Sequence, residues 1–270
     1  MGCFISAYPE DEQSIHLASH CGEDSGVAMS GLELLGIAVV VALAAGVQSI
    51  SGFGFALLSV PLMTLFVEPH IAVVVSTALG IVSTSYQAVR DRADADTVMA
   101  KRLILASSCG MPFGLVAFVD LSQDVLRAVL GVVILAVTIV LGKGFTLKRE
   151  SVHHEWIIGI VSGVLATSLS TNGPPLAFLM HARKIEPDRF RATINRVFAV
   201  VGIASFVLFC LAGEVTGDAL RASVIVLPTL VLALKVGLIL RPRVNAKGFR
   251  VLVLVLMAMS GISAIAGAVF

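Results

Sequence analysis

Two stretches of the chain pair hydrogen-bond donors with interruptions of the backbone. The first is Gln48, Ser49, Ser51, Gly52, Phe53 and Gly54; the second is Ser170, Thr171, Asn172, Gly173 and Pro174. Neither holds a nucleophile beside a base, or ligands at a metal spacing, so their chemistry is recognition rather than bond breaking. The hydroxyls of Ser49, Ser51, Ser170 and Thr171 and the amides of Gln48 and Asn172 offer donors without a buried charge. Gly and Pro interrupt a helix. A helix that resumes after such a break starts with free N–H groups, and that end of its dipole favours an anion. The competing reading is that glycines and small polar residues only let helices approach and bond one another.

Three further residues could join an anion site. Lys235 lies within "LVLALKVGLIL". A lysine at the centre of a membrane helix costs roughly 2.5–3.5 kcal/mol on insertion scales, so it often marks a substrate path. The alternative is snorkelling toward the end marked by Arg241, about 9 Å away along a helix. Arg191 and Asn195 share a helix face at i, i+4. Arginine suits bidentate contact with oxyanions, although at a segment boundary it also anchors topology. Cys109 and Cys210 sit within apolar segments and read as packing residues. Near the N-terminus, Cys3 and Cys21 could pair, and His16, His20 and Cys21 could hold a metal, but the stretch lacks pattern and reads as disordered. No motif indicates catalysis, ATP drive, a cofactor, a resident metal or nucleic acid.

These candidates need a membrane to be buried in. The 270 residues are 57% hydrophobic and 14% charged, with mean hydropathy +0.96; soluble domains carry about 25% charged residues. The expected fold is an all-α integral membrane protein of ten segments. These run roughly 32–50, 54–67, 71–89, 103–119, 126–142, 156–170, 174–182, 190–212, 220–240 and 251–269. Eight are full spans; the second and seventh are short and start in Gly or Pro. Basic residues gather in the links 90–102, 143–155, 183–191 and 241–250, and acidic ones in the tail and in 68–70, 120–125 and 213–219. If every segment crosses, the basic links share one side, and the positive-inside rule puts both termini outside. A short segment that dips and returns is the alternative for each break.

The chain also repeats. "GVQSISGFGFALLSVPLM" from Gly46 and "GVLATSLSTNGPPLAFLM" from Gly163 start 117 residues apart. Each closes a long segment, breaks, and resumes with a short one. Five segments per half is odd, so the second half enters the membrane inverted. This divides the chain into an acidic extracytoplasmic tail (1–30), repeat one (31–150) and inverted repeat two (151–270). Paired breaks in inverted repeats point to a transporter's central site, because broken backbone at membrane depth must be buried in protein or line a wet cavity.

The run from Gly46 to Leu62, with S-T-N-G-P-P at 170–175 and R-A-T at 191–193, resembles the sulfite exporter TauE/SafE family of membrane permeases over about residues 31–270. Phe55-Ala56 stands where many members continue with glycines, and Lys235 where small residues are usual. The resemblance implies a secondary permease of the bacterial inner membrane, not an enzyme. Its substrates would be organosulfur anions (sulfite, sulfoacetate and related sulfonates), and the expected mode is outward movement by alternating access. The alternative class is a passive anion channel or a non-transporting membrane assembly factor, with the breaks as packing devices. Expected partners are the small anion and the lipid bilayer; homodimerisation is left open.

Overall fold

The computed structural model describes residues 30–122, 152–183 and 185–241, with isolated positions between 124 and 139 and at 255 and 262. The acidic tail with its Cys and His residues, most of the fifth and tenth segments, and the 143–150 and 242–250 links lie outside the described residues.

All regular structure among the described residues is helical. Helix α1 (Gly31–Ser51) starts with a reciprocal cap: Glu33 N–H donates to Ser30 Oγ at 3.3 Å, and Ser30 N–H donates to the Glu33 carboxylate at 2.8 Å. It stops at Gly52, whose φ of +88° is left-handed and cheap only without a Cβ. Gly54, at φ +99°, opens α2 (Phe55–Met63). Prolines begin α3 (Pro69–Arg90) and α7 (Pro187–Ala212), where a missing N–H costs nothing. Asp96 caps α4 (Thr97–Asp120) and Thr216 caps α8 (Gly217–Leu240). Between these lie α5 (Val152–Leu169) and α6 (Gly173–Ala182). Helices α1, α3, α4, α5, α7 and α8 are long and apolar enough to cross a membrane.

The chain reverses at both breaks. At the foot of the second hairpin, Arg183, just past α6, donates to Glu155 of the first turn of α5 at 2.6 Å, so both open ends lie together. In the first hairpin, Gly36 near the start of α1 packs on Phe66, just past α2. The short segments therefore return toward the side from which they came. Glu155 also meets Arg102 at 3.5 Å, which puts the foot of the second hairpin at the end of the bundle carrying Arg90, Arg189 and Arg241. The first hairpin opens at the other end, with Glu68 and the start of α3.

Close packing fixes the hairpins to their neighbours. Helix α5 runs along α4: Gly110 and Gly114 of α4 lie against the backbone at Ile160 and Val164, while Gly159 and Gly163 of α5 lie against Ala106 and Ser107. A Cβ on Gly163 would fall inside contact distance of the Ser107 carbonyl oxygen, so no larger residue keeps this approach. Likewise α8 packs along α1, with Gly237 against Ser49. Helix α3 crosses α7, α4 touches α7, and α8 touches α3. Exchanging α1–α4 with α5–α8 maps the α4–α5 contact onto α8–α1, the α4–α7 contact onto α8–α3, and the α3–α7 contact onto itself. One apolar core unites α1, α2, α3 and α8, and a second unites α4, α6 and α7.

Candidate functional site

The first break spends its hydroxyls on itself. Ser51 Oγ lies 2.8 Å from the Val47 carbonyl and 2.6 Å from the Phe53 carbonyl, and accepts from the Phe53 N–H at 3.3 Å. Ser49 Oγ donates to the Gly46 carbonyl at 2.8 Å and faces α8. Gln48 and Gly54 are the residues of this break that line a cavity. The Phe53 ring reaches across to Gly173 and meets Phe190 edge-on at 5.9 Å between centroids.

At the second break Ser170 has φ +53°, left-handed and uncommon for a residue with a side chain. Its hydroxyl lies 2.9 Å from Thr77 Oγ1 on α3, which holds the strained residue to a neighbouring helix. Thr171 Oγ1 donates back to the Leu169 carbonyl at 2.8 Å, and its N–H reaches the Leu165 carbonyl at 3.0 Å. The Asn172 carbonyl accepts from Ser162 Oγ at 2.9 Å. Its side-chain amide has no partner among the described residues.

Between the breaks is a cavity of about 60 Å³, room for a few waters or one small ion. Its walls include Gln48 and Gly54 from the first break and Ser170, Thr171, Asn172 and Gly173 from the second. Phe55, Ala56 and Leu57, the first turn of α2, also face it, and no side chain caps that turn. Helix α3 contributes Ser76, Thr77 and Thr84, and α7 contributes Phe198, Gly202 and Ser205, all from the middle of their helices. Ser205 Oγ is buried without a hydrogen-bond partner. Among the described residues no charged side chain lines this cavity. The described walls offer neutral donors and a helix N-terminus to something small.

The remaining candidates fall elsewhere. Arg191 lies toward the basic end, on the α7 face that continues through Asn195, Phe198, Gly202 and Ser205. Its side-chain stem covers Gly52. Its guanidinium pairs with Asp188, which Arg241 also meets at 3.2 Å. Asn195 is fully buried; its Nδ2 donates to the Arg191 carbonyl at 2.9 Å and its Oδ1 has no partner. Neither residue lines the cavity. Pro174 is buried in the first turn of α6. Lys235 is exposed on α8 beside Leu232, Val236 and Ile239, on the face turned away from the cavity. Cys109 and Cys210 are exposed rather than packed in the core, because their helix faces point outward.

At the basic end a second, polar recess of about 510 Å³ is bounded by Asp96, Arg102, Glu155, Arg183, Glu186 and Arg189. The Met99 N–H holds the Asp96 carboxyl below the usual carboxylate range, aided by Arg189 at 2.8 Å and the Val98 N–H.

Sequence reasoning missed Ser76, Thr77, Ser83, Thr84, Gln87 and Ser205. Their one available signal was periodic: on α3 the pair Ser76/Thr77 recurs seven residues on as Ser83/Thr84, and Gln87 follows three to four residues later, within an apolar segment.

Six membrane-length helices among the described residues, with a small cavity between two broken hairpins, define a multi-span helical membrane protein. Comparison with protein-family models matches residues 37–264 to the sulfite exporter TauE/SafE family, and the chain belongs to that family. Members are transporters, not enzymes, and membership implies transport of sulfite or related organosulfur anions. Neither curated proteins nor solved structures gave a match.

Proposed function

We propose that this protein is a secondary permease that exports a small organosulfur anion, sulfite or a sulfonate such as sulfoacetate. The anion occupies the cavity between the two breaks and is exchanged between the membrane faces by alternating access. The observation that carries this reading is that both breaks line one cavity of neutral donors. The Asn172 amide, Gln48 amide and Ser205 hydroxyl supply the donors, with the uncapped start of α2 behind them. The symmetric helix contacts support two inverted repeats, 31–150 and 151–270, which give the site equivalent routes to either side. The charge distribution supports an inner-membrane orientation with the basic end in the cytoplasm and both termini outside.

A permease and a channel differ in flux. Purified protein in liposomes should give saturable sulfite efflux that accelerates when sulfite is also present outside. Flux that rises linearly with concentration and ignores the opposite side favours a passive channel, and no flux of any anion favours an assembly role.

A further inference from the structure

The Gln48 amide owes its orientation to a buried chain on α3 that the reading above does not use. Gln87 Nε2 donates to Ser83 Oγ at 3.3 Å, and Ser83 Oγ donates to Gln48 Oε1. All three residues are buried, Ser83 completely and both glutamines at 1% exposure. Neither Ser83 nor Gln87 lines the cavity, whereas Gln48 does. A hydroxyl has one proton and two lone pairs. Once Ser83 gives that proton to Gln48, its oxygen is left to accept from Gln87. The order gives the Gln48 carbonyl oxygen a buried donor and leaves its Nε2–H groups without a partner among the described residues.

We propose that Ser83 and Gln87 are positioning residues that hold the Gln48 amide with its N–H side toward the cavity, and so set the site's preference for an anion. The inference rests on the anion-site reading and adds a residue pair that never touches the substrate. Without the Ser83 proton the amide is free to turn over, and its carbonyl oxygen would then face and repel an anion. A relay of this kind acts only through Gln48, which separates it from ordinary helix packing.

The test is a double-mutant cycle on the full chain purified in detergent, with sulfite affinity read by calorimetry and melting temperature as the folding control. Gln48→Leu should weaken sulfite about tenfold or more, and Ser83→Ala about tenfold. Gln48→Leu/Ser83→Ala should bind like Gln48→Leu alone. If Ser83→Ala fails to fold, Ser83→Cys keeps the shape with a weaker donor and should lose affinity in the same dependent way. Equal losses from the Ser83 change in both backgrounds, or no loss in either, overturn the relay while leaving the anion site standing. Normal sulfite binding by Gln48→Leu, or none by the unaltered protein, removes the anion-site reading itself and the relay with it.

Discussion

Among single residues, the division that matters is between donors already committed to the protein and donors left for a ligand. Thr171 is committed, since its hydroxyl bonds the Leu169 carbonyl; the Asn172 amide is not. Asn172→Leu should therefore cost sulfite affinity with little change in melting temperature. The loss is about 1–3 kcal/mol, roughly fivefold to a hundredfold. Thr171→Val should do the reverse, lowering stability by about 1 kcal/mol with a smaller effect on binding. Calorimetry and thermal melts on the two variants check both halves. Lys235 faces outward among exposed apolar side chains, which fits the snorkelling alternative. Lys235→Met is expected to keep the sulfite affinity and efflux rate of the parent in liposomes; abolished efflux from well-folded protein would return Lys235 to the substrate path. The two breaks were legible because Gly, Pro and clustered polar residues stand out in an apolar run. Ser205 was not, because one serine in a membrane helix looks the same whether it faces a cavity, a neighbour or lipid.

Helix ends show how the elements are positioned. The sequence pattern starts the fourth segment at 103, yet α4 begins at Thr97. Lys101 and Arg102 look like link residues by hydropathy, but Asp96 caps the helix a full turn before them, and charged residues in the second turn are still helix. The same aspartate ties α4 to α7 through Arg189 at 2.8 Å, while its backbone N–H donates to Thr193 at 2.9 Å. Because the folded carboxyl sits below its ordinary value of about 3.9, its charge stabilises the fold above that pH. The contribution is lost as pH falls through the lower folded value. Asp96→Asn keeps an acceptor at the cap but removes the charge. Its melting temperature should lie below the parent's at pH 7, by an amount equivalent to about 0.2–1 kcal/mol and reduced by salt. The two should draw together as pH falls below about 4 and converge once it has passed the lower folded value. A difference that persists unchanged into acid would assign the effect to cap geometry instead. The hairpin feet were illegible for a related reason. Glu155 was counted with a basic link, and only the return of α6 brings Arg183 beside it.

For the whole molecule, the charge pattern and the helix packing bear on sidedness independently. The charge pattern was readable as letters: basic links alternate with acidic ones along the chain. The packing was not, because a segment that crosses twice and a hairpin that turns back leave the following link on the same side. The contacts of Glu155 with Arg183 and of Gly36 with Phe66 are needed to tell them apart. Both lines of argument group the link after α2 with the link before α8, and the link after α3 with the link after α6. Single cysteines can test that grouping once Cys3, Cys21, Cys109 and Cys210 are all replaced by alanine. Leu65 and Gly217 report one end; Leu65 is exposed, and a side chain on Gly217 meets no neighbour. Asp94 and Glu186, also exposed, report the other. A membrane-impermeant maleimide added to intact cells should label Leu65→Cys and Gly217→Cys. It should reach Asp94→Cys and Glu186→Cys only after the membrane is opened. The reverse pattern would keep the bundle and invert its orientation, at odds with the positive-inside argument. If Leu65→Cys and Asp94→Cys label from the same side, α3 does not cross, and the cavity at its middle cannot lie at the membrane centre.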